Sequence, residues 1–267
     1  MKATRIPPQQ LAKAFNRNVA TVDTRLQDFL KSGDSPTTAA LRKAIARLRT
    51  TYSVLPKRER QKPRMERYIS ASKRLSRDAG KVRDIDTIAA WTMQLSEGKD
   101  QRSFISDLGR FRGSNLRTAI LKAKKLRKAK SPLLDFREFD RYDEGKRVGN
   151  VEKRLAKRVD KEFEEFLSTQ EVDVMHALRK DSKRLRHLLE LTERGEAPPL
   201  LGRLRSIQDD LGAIRDHDLV IDYLRSRVRL TSTRSLVREE IAKRHARLED
   251  FVTKNRGQGH LIPVPAK

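Results

Sequence analysis

Apolar residues recur at steps of three and four along almost the whole chain. The first such run forms one face of a helix at Leu11, Phe15, Val22, Leu26, Phe29 and Leu30. No segment shows the sustained alternation of apolar and polar positions that marks a half-buried strand. The pattern therefore predicts an all-α fold, with the helices packed in two bundles.

Proline and glycine indicate where the helices of the first half begin and end. Ser35 and Pro36 suit the N-cap and the first position of a helix that stops before Pro56. Pro63 can open the next helix, which is expected to end near Gly80.

A fourth helix is expected after that glycine. Asp84 can cap it, and Gly98 is expected to terminate it. One or two further helices run into the basic tract 122–128. Gly145 and Gly149 mark a break, and we place the boundary between the two halves in this region.

The second half, about 131–254, repeats the helix order of the first half, about 8–130. Its helices are expected at 151–166, at 172–192, at 199–211, after a cap at Asp216, and at 235–252. The tail 255–267 contains two glycines and two prolines, and we expect it to be disordered.

A two-part signature occurs once in each half. Its first part is Leu-Arg-Lys followed by Arg-Leu-Arg, at 41–49 and at 178–186, and its second part is Gly-x-x-Arg-Asp-x-Asp, at 80–86 and at 212–218. The copies agree in residue type, order and internal spacing, and an internal duplication is the simplest explanation.

Net charge adds the expectation of a partner. The 267 residues include 61 Lys and Arg against 36 Asp and Glu, a formal net charge of +25. Self-repulsion of this size destabilises the compact state unless a ligand or counterions offset it, so the excess predicts a polyanionic partner. The chain has no cysteine, which excludes disulfides, thiolate metal sites and cysteine nucleophiles. With neither a signal-like run nor a membrane-length apolar segment, we expect a soluble, cytoplasmic protein that does not enter membranes.

The second basic helix carries a four-position stripe. The residues are spaced at steps of three, four and three, which aligns them one turn apart and away from the apolar face: His176, Arg179, Lys183 and Arg186. A rise of ~1.5 Å per residue attaches neighbours ~4.5–6 Å apart, so long side chains can converge on successive units of a linear polyanion.

The first-half stripe is thinner. Arg42 and Arg49 occupy the positions of Arg179 and Arg186, but alanine stands at 39 and 46. The candidate anion-binding residues of both halves are Arg42, Lys43, Arg49, His176, Arg179, Lys180, Lys183 and Arg186. A solvated helix face remains the alternative for a single basic run, and repetition in both halves argues against it.

The Gly-x-x-Arg-Asp-x-Asp blocks favour a structural role. Asp84 and Asp216 are placed as N-caps, and Arg83 and Arg215 can bond to carboxylates across the bundle. Direct ligand contact is the alternative. The paired aspartates could also suggest Mg²⁺ ligands, but this spacing is too common at helix starts to predict a metal.

At these residues the chain resembles the CHAD family, the conserved histidine α-helical domain. The match lies in 176–186, in Leu-Gly-x-x-Arg-Asp at 211–216 and in the weaker first copy, and the resemblance covers essentially the whole chain. It implies one domain of two four-helix-bundle-like halves related by pseudo-twofold symmetry. A basic central groove or pore would bind inorganic polyphosphate, and family members are binding modules of polyphosphate granules and not established catalysts.

Two features depart from the family. Ala39 stands where the first half of the family has its histidine, and Glu-x-Glu-x-Lys, the mark of the triphosphate-tunnel domain fused to some members, is absent. Its nearest string, at 162–166, lacks the lysine. We therefore expect non-enzymatic polyphosphate binding without a cofactor or metal.

Two other functions are alternatives to polyphosphate binding. Nucleic-acid binding is the first, and the chain contains no recognisable nucleic-acid motif and only 5% aromatic residues for stacking on bases. A phosphatase or kinase activity is the second, and the sequence contains neither a Gly-rich phosphate loop nor a convincing carboxylate cluster.

Overall fold

A computed structural model of this chain describes residues 8–135, 144–191, 198–227, 231–257 and 261–262. The helices of this part are α1 (Pro8–Ser32), α2 (Ser35–Val54), α3 (Lys57–Arg60), α4 (Pro63–Thr92), α5 (Lys99–Lys128), α6 (Glu144–Thr169), α7 (Val172–Leu191), α8 (Pro198–Arg225) and α9 (Thr231–Asn255). No strand occurs among the described residues, and the predicted all-α class is confirmed. The chain divides into two compact units, with the boundary between Val148 and Gly149.

The first unit contains α1 to α5. Helix α1 packs on α2, α2 packs on α4, and α4 packs along α5. The apolar positions predicted for α1 face inward, and Phe15 and Phe29 are completely buried. Helix α2 starts one residue earlier than a Ser35 cap would allow, because the Asp34 side chain accepts a hydrogen bond from the backbone N–H of Thr37 at 2.8 Å.

The second unit contains α6 to α9, with α8 packed against both α7 and α9. Its core includes Phe251 of α9, whose ring lies 6.3 Å from that of Phe163 and 5.6 Å from that of Phe166. Edge-to-face and tilted contacts of this kind add to the stability gained from burial. The core is therefore built jointly by α6 and the last helix.

Two parts of the tail are ordered, contrary to the prediction: Asn255 is the last residue of α9, and Leu261 and Ile262 pack in a core. Leu261 is completely buried and Ile262 is buried beside it, both in the core of the second unit. The backbone N–H of Ile262 donates to Asp160 Oδ1 at 3.2 Å, which fixes the segment to α6. Burial of two apolar side chains offsets the entropy of ordering this short segment. The rest of 258–267 lies outside the described residues.

Several predicted helix boundaries are also wrong. Helix α4 continues through Gly80 and Asp84, and Gly145 and Gly149 lie within α6. Gly98 precedes α5 as its N-cap instead of ending the helix before it. The single helix α8 likewise contains the Gly-x-x-Arg-Asp-x-Asp block at 212–218. Within the described ranges, no helix combines the length and the apolar character that a membrane crossing needs.

Candidate anion-binding site

Both basic stripes lie on continuous helices with buried apolar faces. On α2, Leu41 and Leu48 are completely buried, and on α7, Leu178 and Leu188 are completely buried. The predicted anion-binding residues are all left exposed or half-buried: Lys43, Arg49, His176 and Lys180 are exposed, and Arg42, Arg179, Lys183 and Arg186 are half-buried. Each helix therefore buries one face and presents cations on another.

The repeated glycines make room for the stripe arginines. A Cβ at Gly80 would lie 3.5 Å from Nη2 and 3.7 Å from Cζ of Arg42. In the second unit, a Cβ at Gly212 would lie 3.9 Å from Nη2 of Arg179. Each guanidinium thus lies across the backbone of the neighbouring helix at a position without a side chain. These are ordinary contact distances, so a methyl group would fit at either glycine, whereas a longer side chain would reach the guanidinium.

The stripe of α7 is bordered by the carboxylate of Glu190. Arg186 Nε lies 3.7 Å from Glu190 Oε1, and Arg205 Nη2 of α8 lies 3.9 Å from the same oxygen. Both distances exceed normal hydrogen-bond lengths, so the shared carboxylate offsets part of the positive charge without fixing the arginines tightly. The Glu190 carboxylate therefore reduces the positive charge at Arg186.

A buried carboxylate on the opposite side of α7 holds two other arginines. Asp181 accepts from Arg158 Nε at 2.7 Å and lies 3.3 Å from Arg184 Nη1. Burial raises the pKa of Glu162, and the nearby Asp181 carboxylate raises it further. Arg184 belongs to the repeated sequence motif, but its ion pair with Asp181 indicates a structural role.

The second aspartate of each Asp-x-Asp pair makes a repeated ion pair. Asp86 Oδ1 accepts from Arg112 Nε at 2.7 Å, and Asp218 Oδ1 accepts from Arg244 Nε at 2.5 Å. Both partners follow their aspartate by 26 residues. These pairs join α4 to α5 and α8 to α9, which is the role that we had assigned to the arginines of the motif.

The predicted capping role of the first aspartates is wrong. Asp84 and Asp216 lie inside α4 and α8, where the backbone N–H groups are already bonded within the helix, so neither can be an N-cap. Arg83 and Arg215 are half-buried on the same helices. Arg112 and Arg244 were not among the predicted site residues. Their repetition is visible in the sequence, because they are 132 residues apart, the same offset that relates the two Gly-x-x-Arg-Asp-x-Asp blocks.

A cavity of ≈ 440 Å³ opens within the second unit between α7, α8 and α9. Two residues singled out from the sequence, His176 and Arg215, line it together. The lining also includes five other charged or titratable residues: Asp218, Asp222, Arg225, Arg244 and His245. The other stripe residues of α7 do not line this cavity. In the part of the chain that the structure describes, no three carboxylate or histidine side chains are grouped as metal ligands.

This chain is similar to a known protein family and to a solved structure. The family model described as the CHAD domain matches residues 9–225. The crystal structure of the CHAD domain from the plant Ricinus communis is similar, with a TM-score of 0.63 and 13% sequence identity, over 96% of this chain and 90% of that chain. At this identity the likeness concerns the fold. A search of curated proteins finds no match. Helix α9, which supplies Arg244, follows the matched range.

Proposed function

We propose that this chain, which belongs to the CHAD domain family, binds inorganic polyphosphate through its two basic helices and does not chemically transform it. One observation carries the proposal: each unit seats a stripe arginine on a glycine of the neighbouring helix, beside exposed cations. If the repeat served only to build a second core, only its apolar residues would need to be repeated. The cations are repeated as well, and a ligand with repeated negative charge accounts for this.

Arginine and lysine contribute differently to such a surface. The guanidinium offers a planar fork of N–H donors for phosphate oxygens, whereas lysine offers a compact charge on a flexible stem. Packing of Arg42 and Arg179 against a helix backbone restricts their rotamers, which lowers the entropy lost on binding. The exposed Lys43 and Lys180 can adjust to the position of the chain. A polymer of identical phosphates needs no fixed register on this surface.

The distribution of aromatic residues favours polyphosphate over nucleic acid. Six of the nine phenylalanines are buried in the cores: Phe15, Phe29, Phe104, Phe163, Phe166 and Phe251. Rings that are packed inside the units cannot stack on bases, which is a main source of affinity for single-stranded nucleic acid. The exposed charge suits a ligand that is all phosphate. On this proposal the protein acts in the cytoplasm, at polyphosphate granules.

The proposal is tested by comparing two variants that lose the same charge. Alanine at Arg179 and Lys183 removes two stripe cations, and alanine at Arg67 and Arg74 removes two exposed cations of α4. Among the described residues, the bonds of these two arginines are local, to Pro63 O and Ser70 Oγ. We expect the stripe variant to lose at least tenfold in affinity for long polyphosphate, the equivalent of one ~1.5–3 kcal/mol contact. Equal losses in the two variants would mean diffuse electrostatic attraction and would refute a defined site.

A further inference from the structure

Arg244 lines the cavity and is held in place through its Nε. Its Nε bonds to Asp218, and its side chain is only 16% exposed. Within the described residues, its two Nη groups have no protein acceptor. The equivalent Arg112 of the first unit differs, because its Nη2 donates to the carbonyl of Gly33 at 2.8 Å. Arg244 therefore retains the pair of N–H donors that a tetrahedral oxyanion accepts side by side.

The positive and negative side chains that line the cavity nearly balance when its histidines are neutral. Helix α7 supplies His176, α8 supplies Arg215, Asp218, Asp222 and Arg225, and α9 supplies Arg244 and His245. Three arginines against two aspartates leave one positive charge when both histidines are neutral. Protonation of both histidines raises the net charge of the lining to three. A neighbouring histidine, His217, instead bonds through Nδ1 to the buried Glu240 at 2.7 Å.

The equivalent positions of the first unit contain no histidine. The offsets of the two motif blocks relate His176 to Ala39 and His245 to Gly113, while Arg112 corresponds to Arg244. The arginine–aspartate ion pair is thus present in both units, whereas histidines occur at these positions only in the second.

We propose that the cavity binds a tetrahedral oxyanion of the phosphate type, with Arg244 as its principal donor and with His176 and His245 making the affinity pH-dependent. Histidine ordinarily changes charge between pH 5 and 8. A bound anion favours the protonated imidazoles, so binding takes up protons and the affinity rises as the pH falls. The inference rests on the proposed function only for its ligand class.

The experiment uses sulfate as the probe, because sulfate keeps its charge over this pH range whereas phosphate does not. Calorimetric titration of the full chain at about pH 5.5 and about pH 8 brackets the histidine range. We expect wild-type affinity to increase on acidification by about tenfold for each histidine whose pKa the anion raises by about one unit. Glutamine at both His176 and His245 should abolish the increase.

Two further variants keep the test interpretable. Glutamine at His217, which faces Glu240 and not the cavity, should preserve the pH response. Lysine at Arg244 keeps the charge but removes the N–H fork. We expect this variant to bind sulfate about tenfold or more weakly at both pH values, which corresponds to the loss of one charge-assisted hydrogen bond. Thermal melting of each variant checks that the second unit is folded.

Either of two results overturns the inference: sulfate affinity in the wild type that does not change with pH, or a pH response that survives in the histidine double variant. The proposed function is tested separately, with long polyphosphate at about pH 8, where ordinary histidines are neutral. Polyphosphate binding without a sulfate response would refute the cavity alone. A sulfate response without polyphosphate binding would refute the proposed function alone.

Discussion

Substitution of Gly212 tests whether this glycine serves to accommodate Arg179. A Cβ at this position would lie 3.9 Å from Arg179 Nη2, an ordinary contact distance, so alanine fits. Alanine is more favourable than glycine inside a helix by ~1 kcal/mol, which corresponds to a Tm increase of about 2–4 °C for a protein of this size. Leucine extends beyond Cβ into the guanidinium and forces Arg179 to move. The displaced Arg179 would lose its bond to phosphate. Because a charge-assisted bond contributes ~1.5–3 kcal/mol, polyphosphate binding should weaken by about ten- to a hundredfold.

Gly202 on the same helix provides the matched control, because nothing lies within 4 Å of a Cβ built there. Alanine and leucine at Gly202 should both raise the Tm and leave binding unchanged. The assay is polyphosphate titration together with thermal melting for all four variants. The reasoning is refuted if leucine at Gly212 binds polyphosphate as tightly as the wild type, or if alanine at Gly212 lowers the Tm while alanine at Gly202 raises it.

Three other predictions concern the stripes, an acidic side chain and the ligand itself. Alanine at Arg179 and Lys183 should weaken polyphosphate binding more than alanine at Arg42 and Arg49, with unchanged helicity by circular dichroism; equal losses would mean that the halves contribute equally. Glu162→Gln should raise stability at pH 7, since burial raises the pKa of Glu162 in the folded state and its ionised form therefore opposes folding; denaturant titrations should show this gain disappearing below about pH 4, where glutamate is protonated in both states. Saturating polyphosphate at a hundredfold excess over Kd should stabilise the fold by about 2.7 kcal/mol, and an unchanged Tm would indicate equal binding to the unfolded chain.

Helix positions followed well from local patterns, because amphipathic periodicity reports directly which face is buried. Helix α2 ends before Pro56 and helix α4 begins at Pro63, as predicted. Glycine was misread because its effect depends on a side chain from another helix. Nothing in the sequence next to Gly80 shows that Arg42 lies across it.

The site was predictable only as far as it is repeated. The duplicated blocks led to the two stripes, and applying the same 132-residue offset to other residues would have identified Arg112 and Arg244. Arg225 and His245 have no such counterpart, since Met93 and Gly113 occupy the equivalent positions. Their place in the cavity depends on how α8 and α9 pack, which residue types alone do not specify.

Competition for labelled polyphosphate tests the central claim most directly. Unlabelled polyphosphate, RNA and duplex DNA are added at physiological ionic strength, at concentrations matched per phosphate, because affinities of this kind depend strongly on salt. The account predicts that polyphosphate displaces the label at a lower concentration than either nucleic acid. Displacement by RNA or DNA at an equal or lower concentration would contradict it.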